Sequence, residues 1–438
     1  MSCDRRTLLK LGLGATVFGA FRGTQAVAQQ GPNGVLWVQL FAGGGWDQML
    51  FTEPKQGLRN YGSTPIAQAG NIPYVAFPEV APFFEAHHQR LLVMNGIDTT
   101  TNNHDVGVRY SMSGSLLEGF PIFAAQVAGA LGPGTVLPMF NVWGYDEGGG
   151  LVAPTRLDYI GIPNIESLKT VARPPSVYRN DTVSDRNVPF LPAATQTRLM
   201  AAHNARTTRL LAARKLPRHQ AGLHALEVAR NAAENTTGLD LSPLTPPAPE
   251  PYGSTKTLIT RGVGAFKSGL AVSINVGFEG FDTHGEGDDA HRELLGRIFD
   301  LATWTVNAAD VAEVPVIVVM SSDFGRTPSR EGNGQGTGHW PVSTLMVLQN
   351  QRAFALGRLP GDLVIGGTTG EVASANPDPA RVLQARTIDP ATLQLSASGV
   401  KPNPSHVYRA LRRAAGIDGH AALRSHPIAI DGADLALG

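Results

Sequence analysis

The stretch Val314-Pro-Val-Ile-Val-Val-Met-Ser-Ser-Asp323-Phe-Gly-Arg-Thr-Pro328 decides how this chain is read. A near-continuous apolar run ends abruptly in an acid, a glycine and an arginine. Such a run predicts a strand buried on both faces, as in the interior of a parallel sheet. In open α/β sheets, ligands gather just beyond the carboxyl ends of the strands, and Asp323 stands at such an end. Asp47, His104 and the pair Asp282 and His284 follow other strand-like runs in the same way. The recurrence points to a metal or anion site along one rim of a sheet.

Outward from that strand, an α/β rhythm covers most of the chain. Strands are predicted at 35–41, 90–96, 136–142, 270–276, 314–320 and 344–348. Helices are predicted at 79–88, from His104 or Asp105 to Leu117, and at 123–131, 258–267, 293–307 and 405–415. The last helix has Pro404 before it and Gly416 after it, the usual asymmetry of helix ends. Strands alternating with helices predict a three-layer α/β/α sandwich around a mostly parallel sheet. Residues 148–252 interrupt the rhythm. Proline-rich irregular chain gives way to a helical stretch from Thr195 to Asn235, which Pro217 should kink or divide, and then to the stiff connector Leu241–Pro251.

The 438 residues are 42% hydrophobic, ample for a large core, and carry 36 basic against 36 acidic side chains. Nothing in the balanced charge suggests a general nucleic-acid or membrane-surface binder, and neither is expected as a partner. At the N-terminus, Asp4-Arg-Arg-Thr-Leu-Leu-Lys10 precedes a modest apolar stretch and the small-residue site Ala26-Val-Ala28. This looks like a twin-arginine signal peptide over residues 1–28, followed by one domain over 29–438. Export to the periplasm or beyond is expected, with no stable membrane insertion after cleavage. Cleavage would also remove Cys3, the single cysteine. Any metal must then be held by His, Asp, Glu or hydroxyl oxygen.

The residues suited to chemistry fall into five groups. Asp282 and His284, two positions apart in Phe-Asp-Thr-His, can turn a carboxylate and an imidazole toward one point, a pairing that suits zinc, manganese or iron. Asp323 offers a ligand or electrostatic anchor, and Arg326 a bidentate hold on a substrate oxyanion. His339 lies in the loop-like Gly-Thr-Gly-His-Trp run, within a glycine-rich stretch that reads as a mobile lid. Asp47 closes the Gly43-Gly-Gly-Trp-Asp turn. His104 opens a helix that Asn103 can cap, at a junction where α/β hydrolases place a nucleophile, and Thr101 supplies a hydroxyl just before it. His291 stands close enough to the Asp-Thr-His loop to support it from behind.

Together these motifs resemble a secreted bacterial family catalogued as domain of unknown function 1501, within the alkaline phosphatase and sulfatase-like superfamily. The resemblance rests on the paired-arginine leader, Gly43 to Asp47, Asn103-His-Asp105, Phe281 to His284, and Ser322 to Pro328 with Gly338-His339. It implies an alkaline phosphatase-like sandwich and metals at the strand ends, zinc first, with manganese, iron or calcium as alternatives. By motif, Asp47, Asp282, His284, Asp323 and His339 match metal ligands. The substrate implied is a small anionic phosphate or sulfate ester. Family members are often encoded beside another secreted protein, which implies a co-exported partner and an alternative role in binding or assembly without turnover. Three departures are visible: Phe324 stands where active phosphatases commonly place a histidine, the Asp282-to-His284 spacing is shorter than the phosphatase pattern, and no clear nucleophile occupies the strand-helix junction unless Thr101 or His104 replaces it.

Overall fold

The computed structural model describes residues 34–156, 192–223 and 253–437, apart from positions 60, 134, 136, 215, 217, 218, 221, 222 and 268 and segments 332–335 and 371–380. The leader, Cys3, Pro217, and the connector 241–251 lie outside the described residues, as does most of the 148–252 insertion.

The strands are β1 (Leu36–Gly43), β2 (Ile66–Ala69), β3 (Ile72–Val75), β4 (Leu91–Asp98), β5 (Met139–Val142) and β6 (Thr155–Arg156), followed by β7 (Ser273–Glu279), β8 (Val316–Ser322), β9 (Gly325–Arg330), β10 (Thr337–Trp340), β11 (Val342–Gln349) and β12 (Leu363–Gly366). The helices are α1 (Ala81–His87), α2 (His104–Ser113), α3 (Phe123–Leu131), α4 (Ala193–Ala213), α5 (Gly253–Lys267), α6 (Asp288–Val311), the short α7 (Gln351–Phe354) and α8 (Pro404–Ala414). Eight strands form one sheet in the order β12-β4-β11-β8-β1-β7-β5-β6. All its pairings are parallel except those of β11, which runs against both β4 and β8.

The quoted run forms β8, two residues later than the sequence predicts. Pro315 has no N–H to give a ladder, so the strand starts just after it, and its carbonyl accepts from Leu36. β8 pairs with β1 in parallel, Leu36 opposite Val316 and Ala42 opposite Ser322. Alternation along β1 divides the core. Leu36, Val38, Leu40 and Ala42 join the apolar layer of α1, α5 and α6, whereas Trp37 joins that of α3 and α8. Helices therefore cover both faces of the sheet, which is the expected α/β sandwich. No helix among the described residues is long and apolar enough to cross a membrane.

Two differences from the sequence reading bear on the site. α2 stops at Ser113 rather than Leu117, because Gly114 takes a left-handed φ of 78° and closes the helix. The stretch read as a mobile glycine-rich loop contributes an antiparallel pair, β9 with β10, in which His339 faces Arg326 in register. Because β11 is antiparallel, its first residue lies at the rim where the parallel strands end. Trp340 and Pro341 connect β10 directly to that start, and this brings His339 to the same rim.

A candidate metal centre at the strand ends

Each element delivers its side chain by a local device. Beyond β1, Gly44 and Gly45 take φ of 115° and 91°, a region closed to most side chains. A Cβ on Gly45 would come within 2.7 Å of the Phe324 ring. Beyond β4, Asn103 caps α2 by accepting from the Val106 N–H at 3.2 Å, which sets His104 at the first helical position. Beyond β7, Phe281 donates its N–H to Gly43 carbonyl at 3.0 Å, tying the Asp282 loop to the end of β1.

Arg326 locks these loops together. Its side chain is 0% exposed. It donates to the carbonyls of Gly45 at 2.7 Å, Phe281 at 2.6 Å and Thr337 at 3.0 Å, to that of Gly44, and to Asp282 Oδ1 at 2.9 Å. The expected hold on a substrate oxyanion is thereby corrected: a buried guanidinium engaged by five acceptors has no face left for substrate. Asp282 feels the opposite pull. Burial works to raise its pKa, but the Arg326 guanidinium beside it outweighs that and holds the carboxyl at about 2.

Three imidazoles converge on that carboxylate. His284 Nε2 and His339 Nε2 each lie 3.0 Å from Asp282 Oδ1, and His104 Nε2 lies 3.4 Å from Oδ2. The Nε2 atoms of His284 and His339 are 2.9 Å apart. One ligand atom from each of His104, Asp282 and His339 falls within 4.8 Å of the others. Ligands held at ordinary metal–nitrogen and metal–oxygen lengths in a tetrahedron sit about 3.3 Å apart, so little movement separates this arrangement from a coordination shell.

The far nitrogen of each ring settles where its proton lies. His104 Nδ1 lies 2.7 Å from Asp323 Oδ2, His339 Nδ1 lies 2.8 Å from the Asn102 carbonyl, and His284 Nδ1 lies 2.9 Å from Glu331 Oε2. A carbonyl and two carboxylates can only accept, so each Nδ1 carries the hydrogen. In the neutral rings, each Nε2 lone pair then faces Asp282. His104 Nε2 is buried and has no hydrogen-bond partner among the described residues. Three lone pairs and a carboxylate gathered round one point call for a cation. Carboxylate or carbonyl support behind a ligating histidine is also the common outer shell of metal sites. The Asp323 hydrogen bond raises the His104 pKa, against a smaller opposing effect of burial.

Not every sequence candidate joins this group. Asp323 stands behind it: Oδ1 accepts the Gly44 N–H at 2.8 Å, and Oδ2 orients His104. Asp47 is drawn elsewhere. Its Oδ2 pairs with Arg59 Nε at 2.7 Å and its Oδ1 accepts from Met49 N–H at 3.0 Å, so both oxygens are engaged away from the cluster. The Thr101 hydroxyl accepts the Asn103 N–H at 3.1 Å, a turn-forming role. His291 supports the Asp47 backbone, accepting its N–H at 2.8 Å on Nε2 while Nδ1 meets Thr283 Oγ1 at 3.0 Å.

Sequence reasoning missed three contributors. Phe324 is fully buried and packs its ring 4.9 Å from that of His104 and 4.5 Å from that of His339. The position that lacks a ligand thus steadies two of them. Glu331 and Asn102 orient the other imidazoles, and only their place beside the His motifs in sequence hinted at it. A cleft of about 510 Å³ opens beside His104, with Phe41, Val108 and Tyr145 as its apolar wall and Arg109 as its arginine.

A comparison with curated proteins found no match for this chain. A family model described as "Protein of unknown function (DUF1501)" matches residues 36–349, from the first residue of β1 to the last of β11, and so takes in every residue of the cluster. The chain belongs to that family.

Proposed function

We propose that His104, Asp282 and His339, with His284 at the exposed edge, bind one divalent metal, and that the protein is an exported metal-dependent hydrolase of phosphate or sulfate esters. The reading places it among alkaline phosphatase and sulfatase-like proteins, working in the periplasm after twin-arginine export. The observation that carries the metal is the meeting of three Nε2 lone pairs on Asp282, with each Nδ1 tied to an acceptor. An imidazole-rich set favours zinc, then manganese or iron; calcium, which prefers oxygen ligands, comes last.

A bound metal supplies Lewis-acid charge to the ester oxyanion and makes water acidic enough to ionise near neutral pH. The chain's own residues do the rest. Arg326 and the glycine turn hold Asp282 in place, Asp323 fixes the His104 tautomer, and Phe324 keeps two rings from rotating. The surroundings are acid-rich: Asp105, Glu118 and Glu279 line the cleft beside His104, where Arg109 lies 3.6 Å from Glu118. Burial, and then Asp323, raise the Glu279 pKa. An anionic ester meets repulsion there until a dication is in place, so anion binding at this rim depends on metal.

A second reading is a binding or assembly protein without turnover. It is favoured by the state of the hydroxyls near the site. Thr101 is engaged in a turn, and Ser322 is buried, donating to the Ala42 carbonyl at 2.5 Å and accepting from Trp46 N–H at 2.9 Å.

Elemental analysis of the purified full chain, with a panel of aryl phosphates and sulfates, tests both readings. The expected result is one metal per chain, lost in Asp282→Ala, and hydrolysis abolished by chelator and restored by zinc. One retained metal with no turnover supports the second reading. A metal-free protein, with metal neither bound on addition nor affected by Asp282→Ala, sinks the metal centre itself.

A further inference from the structure

We propose a second ligand site, for a small tetrahedral oxyanion such as phosphate or sulfate, in the C-terminal segment beyond the metal centre. A cavity of about 270 Å³ opens between the end of α8 and the loop after it, lined by Arg409, Arg412, Asp418, His420, Arg424 and apolar Ile428, among others. It is smaller than the clefts of roughly 300–1,000 Å³ that take organic ligands.

Arg412 is the reason to expect a ligand. The residue is 3% exposed. Its Nε donates to Gln126 Oε1 at 2.8 Å and its Nη1 to the His426 carbonyl at 2.9 Å, while its guanidinium lies 5.8 Å from the Phe120 ring centre. These contacts fix the head group rigidly. Nη2 is buried with no hydrogen-bond partner among the described residues. A buried, unsatisfied charged donor is expensive, and here it borders a cavity. Burial draws the Arg412 pKa down to about 10, so it remains a cation at neutral pH.

The surrounding charge is also unbalanced. Arg409 and Arg413 share a single carboxylate, Asp434 Oδ1, at 2.9 and 2.8 Å. No ion pair to Arg412 or Arg424 occurs among the described residues, and Asp418 is the acid among the lining residues. His420 Nδ1 accepts the Ala422 N–H at 3.2 Å, so its Nε2 carries the hydrogen and adds a further donor. Planar, fixed guanidinium groups beside an imidazole donor recognise phosphate and sulfate oxygens. The same chemistry serves a free anion or the terminal group of a small ester.

Calorimetric titration of the full chain, freed of metal by chelator so that the rim binds no anion, with inorganic phosphate and with sulfate, at constant ionic strength set by chloride, tests the site. Saturable binding is expected. Arg412→Lys and the exposed-site variant Arg424→Ala should each weaken it, the first by about tenfold or more. Asp282→Ala should leave it unchanged, because the metal centre is not involved. If Arg412→Lys fails to fold, Arg424→Ala alone still decides. The proposal is overturned by absence of saturable binding, by binding that survives the Arg424 change, or by binding that disappears with Asp282→Ala. The last result would assign the anion to the metal centre.

Discussion

Two clusters of acid and histidine lie along the same rim and behave in opposite ways. In the interior cluster, Asp47 is paired with Arg59 and Met49 N–H, and His291 is held between the Asp47 N–H and Thr283. Its donors match its acceptors, and it is closed to solvent. In the outer cluster, three imidazoles turn lone pairs toward Asp282, whose side chain is 46% exposed. Its acceptors exceed its donors. The residue types are alike and so are their positions after strands. The difference is a nearby arginine: Arg59 completes Asp47, with two further bonds from its Nη atoms to Thr327 and Pro328 carbonyls. Asp282 receives Arg326 on one oxygen only. The balance of donors and acceptors, more than the presence of Asp and His, separates a structural cluster from a ligand site.

The largest expected effect that would sharpen this contrast is Arg59→Ala. It leaves a buried carboxylate unpaired and should cost about 3–5 kcal/mol of stability by urea unfolding. Metal content of the folded fraction should not change. Loss of metal without loss of stability would show that Asp47 belongs to the outer cluster after all.

A smaller effect is expected for Asp323→Asn. The amide can present its NH₂ to His104 Nδ1, which then must accept, and the proton moves to Nε2. A protonated Nε2 cannot ligate. Metal affinity measured by chelator competition should fall roughly 10–100-fold, with the fold retained. An unchanged affinity would remove His104 from the ligand set.

The smallest effect concerns acid. Burial depresses the pKa of His291 to about 3 and of His87 to about 4, in His87 with Arg90 adding to the shift. The unfolded chain protonates these rings near the ordinary histidine value of about 6.5, while the folded chain does not. The unfolded state therefore binds more protons below that value. Their contribution to stability is complete above about pH 6.5 and declines as pH falls toward 4 for His87 and toward 3 for His291. In chelator-treated protein, His87→Leu should reduce the slope of unfolding free energy against pH by at most about 1.4 kcal/mol per pH unit in the window from 6.5 down to 4. An identical slope in wild type and variant would mean that His87 is not held neutral by the fold.

Much of the architecture is legible in the sequence. The apolar run at Val316–Ser322 could hardly be anything but an interior strand, and the helix at Phe123–Leu131 falls where its pattern predicts. The pairing of β9 with β10 was not legible, because Thr337-Gly-His-Trp340 has neither apolar alternation nor β-branched density. Its strand character comes from the partner across it. The β2–β3 pair and β12 were missed because they are only four residues long, and strands that short are stabilised by their neighbours.

The site divides along similar lines. Asp282, His284 and His339 were visible as motif residues. The burial of Arg326 was not, since an arginine in a polar loop reads as exposed until five acceptors from three separate segments are found around it. Nor could Phe324 be seen as a support for histidines drawn from α2 and β10.

The sequence by itself determined the sandwich, its mostly parallel sheet and the rim at which polar residues collect. Those follow from hydrophobic period and connection length, which are local properties. Tertiary structure alone decided which acids are neutralised from within and which are left open to a cation. That outcome depends on which donor lies within about 3 Å of each oxygen, a distance fixed by residues hundreds of positions apart in the chain.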